Sequence, residues 1–210
     1  MFDSAEYFKT FIGLVAIVNP IGVIPVFISM TASESRTELR KTANLVPIGV
    51  ASILLTALFF GEEFLGLFGI TIDSFRVGGG ILILLMAIAM LHARTSAVKQ
   101  TGEEASESIE KQSVAIVPLA MPLLAGPGAI STVILAAHKS TGLSHYLVLS
   151  SAIVVLSLLV WGVLRLAPWI ARHISATGLN IFTRIMGLIL AAIAVEFIAN
   201  GIKGLFPGLA

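Results

Sequence analysis

The chain has 210 residues, 57% hydrophobic and only 12% charged, with a net charge of +1 and a mean hydropathy of +0.99. A soluble domain carries about twice that charged fraction; here the charges cluster and leave apolar runs of roughly 20 residues, enough to cross a hydrocarbon core. The composition excludes a soluble globular domain and describes an integral membrane protein, the bilayer being its first partner. Without cysteine there are no disulfides or thiolate metal sites, and nothing in the charge calls for nucleic acid.

The apolar runs predict six spans, at about 7–30, 43–61, 71–92, 114–137, 145–167 and 181–203. The first lacks the basic start and small-residue cleavage pattern of a signal peptide, so it is read as a retained span. It contains "VNPIGVIPVF", with Asn19, Pro20, Gly22 and Pro25 close together. Each proline removes a backbone donor and clashes with the preceding turn, so a discontinuous helix is expected here. The third span opens on "RVGGGIL". Gly78, Gly79 and Gly80, with Ala87 and Ala89, suit close helix packing in lipid. Arg76, three residues after Asp73, suits a helix-surface ion pair.

The connector "ARTSAVKQTGEEASESIEKQS", 93–113, reads as a polar, mobile loop. The fourth span then repeats the punctuation of the first: "MPLLAGPG" holds Pro122, Gly126, Pro127 and Gly128, followed by Ser131 and Thr132. Those two hydroxyls could bind a ligand or bond back to the preceding helical turn. The fifth span carries Trp161, with Tyr146 and Trp169 towards its ends, as packing and interface anchors. The sixth carries Glu196, the one carboxylate deep in a span. An ionisable group there is expensive and is by default a functional hypothesis, the bland alternative being a hydrogen bond to Asn200 one turn on. His92, His138, His145 and His173 lie near span ends without metal-ligand spacing and are expected at the interface. No metal or cofactor is expected.

Lys and Arg set the orientation. The first, third and fifth connectors hold Arg36, Arg40, Lys41, Arg94, Lys99, Lys111, Arg165 and Arg172, against Lys9, Lys139 and Lys203 on the other side. The richer side is cytoplasmic, so both termini are expected outside.

Two matches reveal an internal repeat. Pro20 and Pro25 recur as Pro122 and Pro127 at an offset of 102, and R-x-x-G-x-I-L from Arg76 recurs from Arg184 at 108. Three spans per unit is an odd number, so the second unit must insert upside down. The fold class expected is thus an all-α integral membrane protein, with six transmembrane helices as two inverted three-helix repeats and broken first and fourth helices. The first repeat is 1–92, the cytoplasmic loop 93–113 and the second repeat 114–210, with 1–92 superposing on 114–204 after a half-turn about an axis in the membrane plane. Inverted repeats with helices broken near the midplane are the architecture of secondary transporters. Broken backbone is tolerated at that depth only inside protein or along a watery cavity, and half-helix N-termini suit a carboxylate.

The segments "IGLVAIVNPIGVIPVFISMT", "FGITIDSFRVGGGIL", "VPLAMPLLAGPGAIS" and "TRIMGLILAAIAVEFIANGIKG" resemble the MarC family of bacterial and archaeal inner-membrane proteins. That family is similar to the SnatA carriers of alanine and glycine. The resemblance covers nearly the whole chain apart from 93–113. It implies six spans in a bacterial or archaeal plasma membrane and proton-coupled transport of small neutral amino acids, with the direction of transport left open.

On this basis Asn19, Pro20, Gly22, Pro25, Pro122, Gly126, Pro127, Gly128 and Ser131 are the expected substrate-binding positions. Glu196 is the expected proton-coupling residue, and Arg76 and Arg184 are structural anchors between helices. An enzyme is not expected, because spans carry neither a Ser–His pair nor paired Asp residues. A passive channel fits inverted repeats poorly. A membrane scaffold or stress-response protein, or an exporter of another small metabolite, is the alternative. A homo-oligomeric assembly is neither required nor excluded.

Overall fold

The computed structural model describes residues 4–32, 34–92, 119–120 and 124–209. The 93–113 loop and Pro122 lie outside these. Among the described residues there are seven α-helices: α1 Ser4–Val18, α2 Ile24–Met30, α3 Arg36–Leu67, α4 Ile72–Leu91, α5 Pro127–Ala137, α6 Leu143–His173 and α7 Ala176–Leu205. A short 3-10 turn, Pro207–Leu209, follows. Helices α3, α4, α6 and α7 are each long and apolar enough to cross a bilayer, and α5 is a shorter apolar helix.

Helices α3, α6 and α7 overrun the spans read from hydropathy, whereas α4 keeps to its own; for α3 and α7 a serine cap sets the start. Helix α3 starts at Arg36 instead of near 43, on a reciprocal cap. The Glu38 backbone N–H donates to Ser35 Oγ at 3.3 Å, and the Ser35 N–H donates to Glu38 Oε2 at 2.8 Å. Helix α7 similarly starts on Ser35's counterpart in role, Ser175, whose hydroxyl accepts from the Gly178 N–H at 3.2 Å. With 32 residues, α3 is ~48 Å long at 1.5 Å per residue. That length and the 31 residues of α6 exceed a hydrocarbon core of ordinary thickness. Pro47 lies inside α3 and Pro168 inside α6 without ending either helix. A single proline is therefore not what interrupts the first span.

Two seams organise the bundle. In the first, α4 packs on α7 through small residues. An added Cβ on Gly80 would meet Ile198 Cγ1 at 2.7 Å and the Ala194 carbonyl at 3.0 Å, one on Gly187 the Ala87 carbonyl at 3.1 Å, and one on Gly201 the Asp73 carbonyl at 2.9 Å. Gly79 faces the other way, against Ser131 of α5. Gly78 has open space around it, so the glycine run serves two interfaces through two of its three members. In the second seam α3 packs on α6, with Trp161 Nε1 donating to Asn44 Oδ1 at 2.9 Å and Phe59 stacked on Tyr146 at 5.7 Å. In each seam early residues of one helix meet late residues of the other, so both pairs run antiparallel.

Contacts place the helix ends. Tyr7 of α1 bonds to His145 at the start of α6 (2.8 Å), His138 after α5 bonds to Glu62 of α3 (2.8 Å), and Gly204 of α7 abuts Asp73 of α4. The start of α1, the 68–71 and 138–142 connectors and the end of α7 therefore share one end of the bundle. The core between the helices is apolar, with Leu14, Phe27, Leu54, Ile83, Leu156 and Leu190 buried. Phe60, Phe64, Leu158 and Leu188 are exposed on the outside. So broad an apolar surface is expected of a chain covered by lipid.

One expectation is corrected. His145 is buried rather than interfacial, at 2% exposure. Its Nε2 donates to the Ala136 carbonyl at 2.9 Å, and its Nδ1 lies 2.8 Å from the Tyr7 hydroxyl. The residue joins α1, α5 and α6. The other described histidines, His92, His138 and His173, are exposed.

Candidate functional site

The first span is interrupted where the sequence is least able to continue a helix. Helix α1 stops at Val18, and Asn19 takes a left-handed backbone with φ of 46°, a conformation Asn tolerates better than most residues. Its Oδ1 accepts from the Gly22 N–H at 3.2 Å, so the side chain caps the turn it starts. Gly22 has no room for a Cβ beside that amide. Pro25 then lies in the first turn of α2, where a missing N–H is no loss. The second half-helix repeats this solution: Gly126 is extended and uncapped by any side chain, and Pro127 begins α5. Just before it, the Ala125 N–H bonds to the Ala120 carbonyl at 2.9 Å, a turn wider than an α-helix allows. Where Gly128 lacks a side chain, Ile17 and Ile83 close in, at 3.3 and 3.0 Å from the Cβ position. The two interruptions therefore abut.

A cavity of about 520 Å³ opens between α1, α4, α5 and α7 at the end that holds the chain's first and last described helix turns. Lys9, Thr10, Gly13 and Ile17 line it from α1, Arg76 from α4, Thr132, Leu135 and Ala136 from α5, and Ile193, Glu196, Phe197 and Asn200 from α7, with Lys139 beyond α5. Its innermost α1 residue, Ile17, lies two positions from the break at Asn19.

The expected site residues thus divide into two groups. Asn19, Pro20, Gly126, Gly128 and Ser131 are buried at or beside the breaks, Gly22 is half-buried there, and Pro25 and Pro127 are exposed. None of these eight lines the cavity. Ser131 is packed against Gly79. Thr132, next in sequence, does line the cavity, while its hydroxyl donates to the Gly128 carbonyl at 2.8 Å; the back-bonding alternative is realised for it. Glu196 lines the cavity and makes no hydrogen bond to Asn200 or to any other described residue. Arg76 forms the surface ion pair with Asp73, Nη1 to Oδ1 at 3.3 Å, and also lines the cavity. Arg184 is exposed on α7.

Sequence reading did not single out Lys9, Thr10, Lys139 or Phe197 as lining residues. All four fall near span ends or on an ordinary helical stripe, and only the packing of four helices aims them at one space. Among the described residues no group of His, Asp or Glu could hold a metal ion.

Relatives bear on this arrangement. Over 208 residues the chain is 48% identical to the UPF0056 membrane protein YhcE of Escherichia coli (strain K12), covering 99% of this chain and 97% of the relative. It is 37% identical over 200 residues to the UPF0056 membrane protein YvbG of Bacillus subtilis (strain 168), covering 95% of each. It is 38% identical over 208 residues to a UPF0056 membrane protein of Methanocaldococcus jannaschii, covering 97% of this chain and 89% of the relative. No solved structure matches the chain significantly. A family model described as MarC family integral membrane protein matches residues 4–206, both interruptions and every cavity-lining residue included, and the chain belongs to that family.

Proposed function

We propose that this protein is a secondary transporter that moves small neutral amino acids, alanine- or glycine-like, across the plasma membrane with proton coupling. The observation that carries this reading is the cavity. It runs from one end of the bundle to the level of two abutting helix interruptions, and it offers cationic Lys9, Arg76 and Lys139 opposite anionic Glu196. Its volume lies within the range of small-molecule sites, and its mixed charge suits a zwitterion. The antiparallel α4–α7 and α3–α6 seams support two inverted repeats, since helices that are mates under a half-turn in the membrane plane must cross antiparallel. Two states related by that half-turn would expose the site to each side in turn.

Glu196 is the proton-coupling residue in this reading, because it lines the cavity without a partner among the described residues. The test is uptake by purified protein in proteoliposomes. Alanine or glycine should accumulate against its gradient when a pH gradient is imposed, and accumulation should collapse with a protonophore. Uptake that merely equilibrates would indicate a channel, and none at all would leave the scaffold reading.

A further inference from the structure

Resting on the carrier reading, we propose that Arg76 is the residue that binds the substrate carboxylate, with Asp73 and Gly204 positioning it. Sequence alone makes Arg76 a structural anchor, and an i, i+3 pair with Asp73 on a helix surface would satisfy that description. Three features of the structure go beyond it. First, Arg76 lines the cavity with its side chain 23% exposed, while Asp73 meets it through Nη1. A guanidinium has five N–H donors in a fixed fork, so a bidentate face is left for a ligand.

Second, the Asp73 carboxylate packs against α7 at Gly204, where a Cβ would overlap it. The absence of a side chain there leaves the room in which Asp73 meets the guanidinium.

Third, among the described residues Glu196 is kept apart from Arg76 and Lys9. Glu196 makes no ion pair with Arg76 or Lys9 within 4 Å among the described residues. The antiparallel register explains this: Asp73 faces Gly201 and Gly204, so Arg76 stands near the level of Asn200 and Glu196 lies one turn further in. A ligand with a carboxylate and an ammonium bridges that gap; a ligand lacking the carboxylate cannot. Arginine rather than lysine suits the carboxylate, because its planar fork matches both oxygens at once.

The experiment compares alanine with alanine amide, which keeps the ammonium and loses the carboxylate, in proteoliposomes of the full-length protein. Wild-type protein should take up alanine, with the amide competing at least about tenfold more weakly. Arg76→Gln should raise the KM for alanine about ten- to a hundredfold with little change in maximal rate, and should abolish discrimination against the amide. Arg76→Lys, which keeps the charge, should fall between. Asp73→Asn should also raise KM at nearly constant maximal rate, and Asp73→Glu should restore it. A wild type that accepts the amide as well as alanine overturns the proposal while leaving the carrier reading intact. So does an unchanged alanine KM in folded, monodisperse Arg76→Gln or Arg76→Lys protein. A wild type that transports no alanine overturns both.

Discussion

Asn19 shows how one residue serves a break that proline alone does not make. Its left-handed backbone turns the chain, and its side-chain oxygen takes up the Gly22 N–H that the turn exposes. Gly22→Ala should therefore destabilise the protein by about 1–3 kcal/mol, because a Cβ there overlaps the Asn19 amide. A thermal melt in detergent unchanged from wild type would show that the turn relaxes around the methyl. His145 is a second such residue, bonded at both ring nitrogens across three helices. His145→Phe keeps a slightly larger aromatic ring and leaves the Ala136 carbonyl without that donor, and the same melt should show a loss of about 2 kcal/mol or more. Glu196→Gln tests chemistry rather than stability. It mimics the protonated side chain, so proton-driven accumulation of alanine should fail while exchange down its own gradient persists. Accumulation with the wild-type dependence on pH would move the coupling elsewhere.

At the scale of elements, the α4–α7 seam depends on the absence of side chains at matched points. Apolar association in lipid has no hydrophobic drive, and close approach of backbones supplies dispersion instead. Gly80→Ala must push on Ile198 and on the α7 backbone, and should cost about 1–3 kcal/mol. Gly78→Ala, two residues away with open space around it, should be neutral or stabilise by up to about 1 kcal/mol through helix propensity. Equal effects of the two substitutions in a detergent melt would contradict the seam. The half-helices α2 and α5 follow another rule: each has its proline in the first turn. There proline's missing donor is harmless and its fixed φ is already helical.

For the whole molecule, topology is the testable quantity. The connector at 138–142 and the start of α7 lie at opposite ends of the bundle, and the orientation expected from the Lys and Arg distribution would put the former outside. The chain has no cysteine, so single substitutions report cleanly. Thr141→Cys should react with an impermeant maleimide added to intact cells, and Ser175→Cys only after permeabilisation. The reverse pattern would turn the protein over in the membrane and make the cavity face the cytoplasm.

Apolar runs, interrupting prolines and the R-x-x-G-x-I-L match are properties of neighbouring residues. They located the long helices, the first break and the start of α5 without any knowledge of packing, and their family resemblance held over the whole chain. Helix ends were less legible, since α3 and α7 start on serine caps in polar sequence that hydropathy does not register. The cavity was legible only in part, through Glu196, whose carboxylate within a span is conspicuous on its own, and through Thr132, Arg76 and Asn200, which were read for other reasons. Lys9, Thr10 and Lys139 look like ordinary span-end residues, and His145 looks interfacial, until α1, α5, α6 and α7 are brought together. Arg76 is the sharpest case. Its pairing with Asp73 follows from a spacing of three on one helix, but its exposure to the cavity follows from where α7 lies. Local backbone chemistry is written residue by residue, whereas a shared cavity exists only once distant helices have fixed each other's faces.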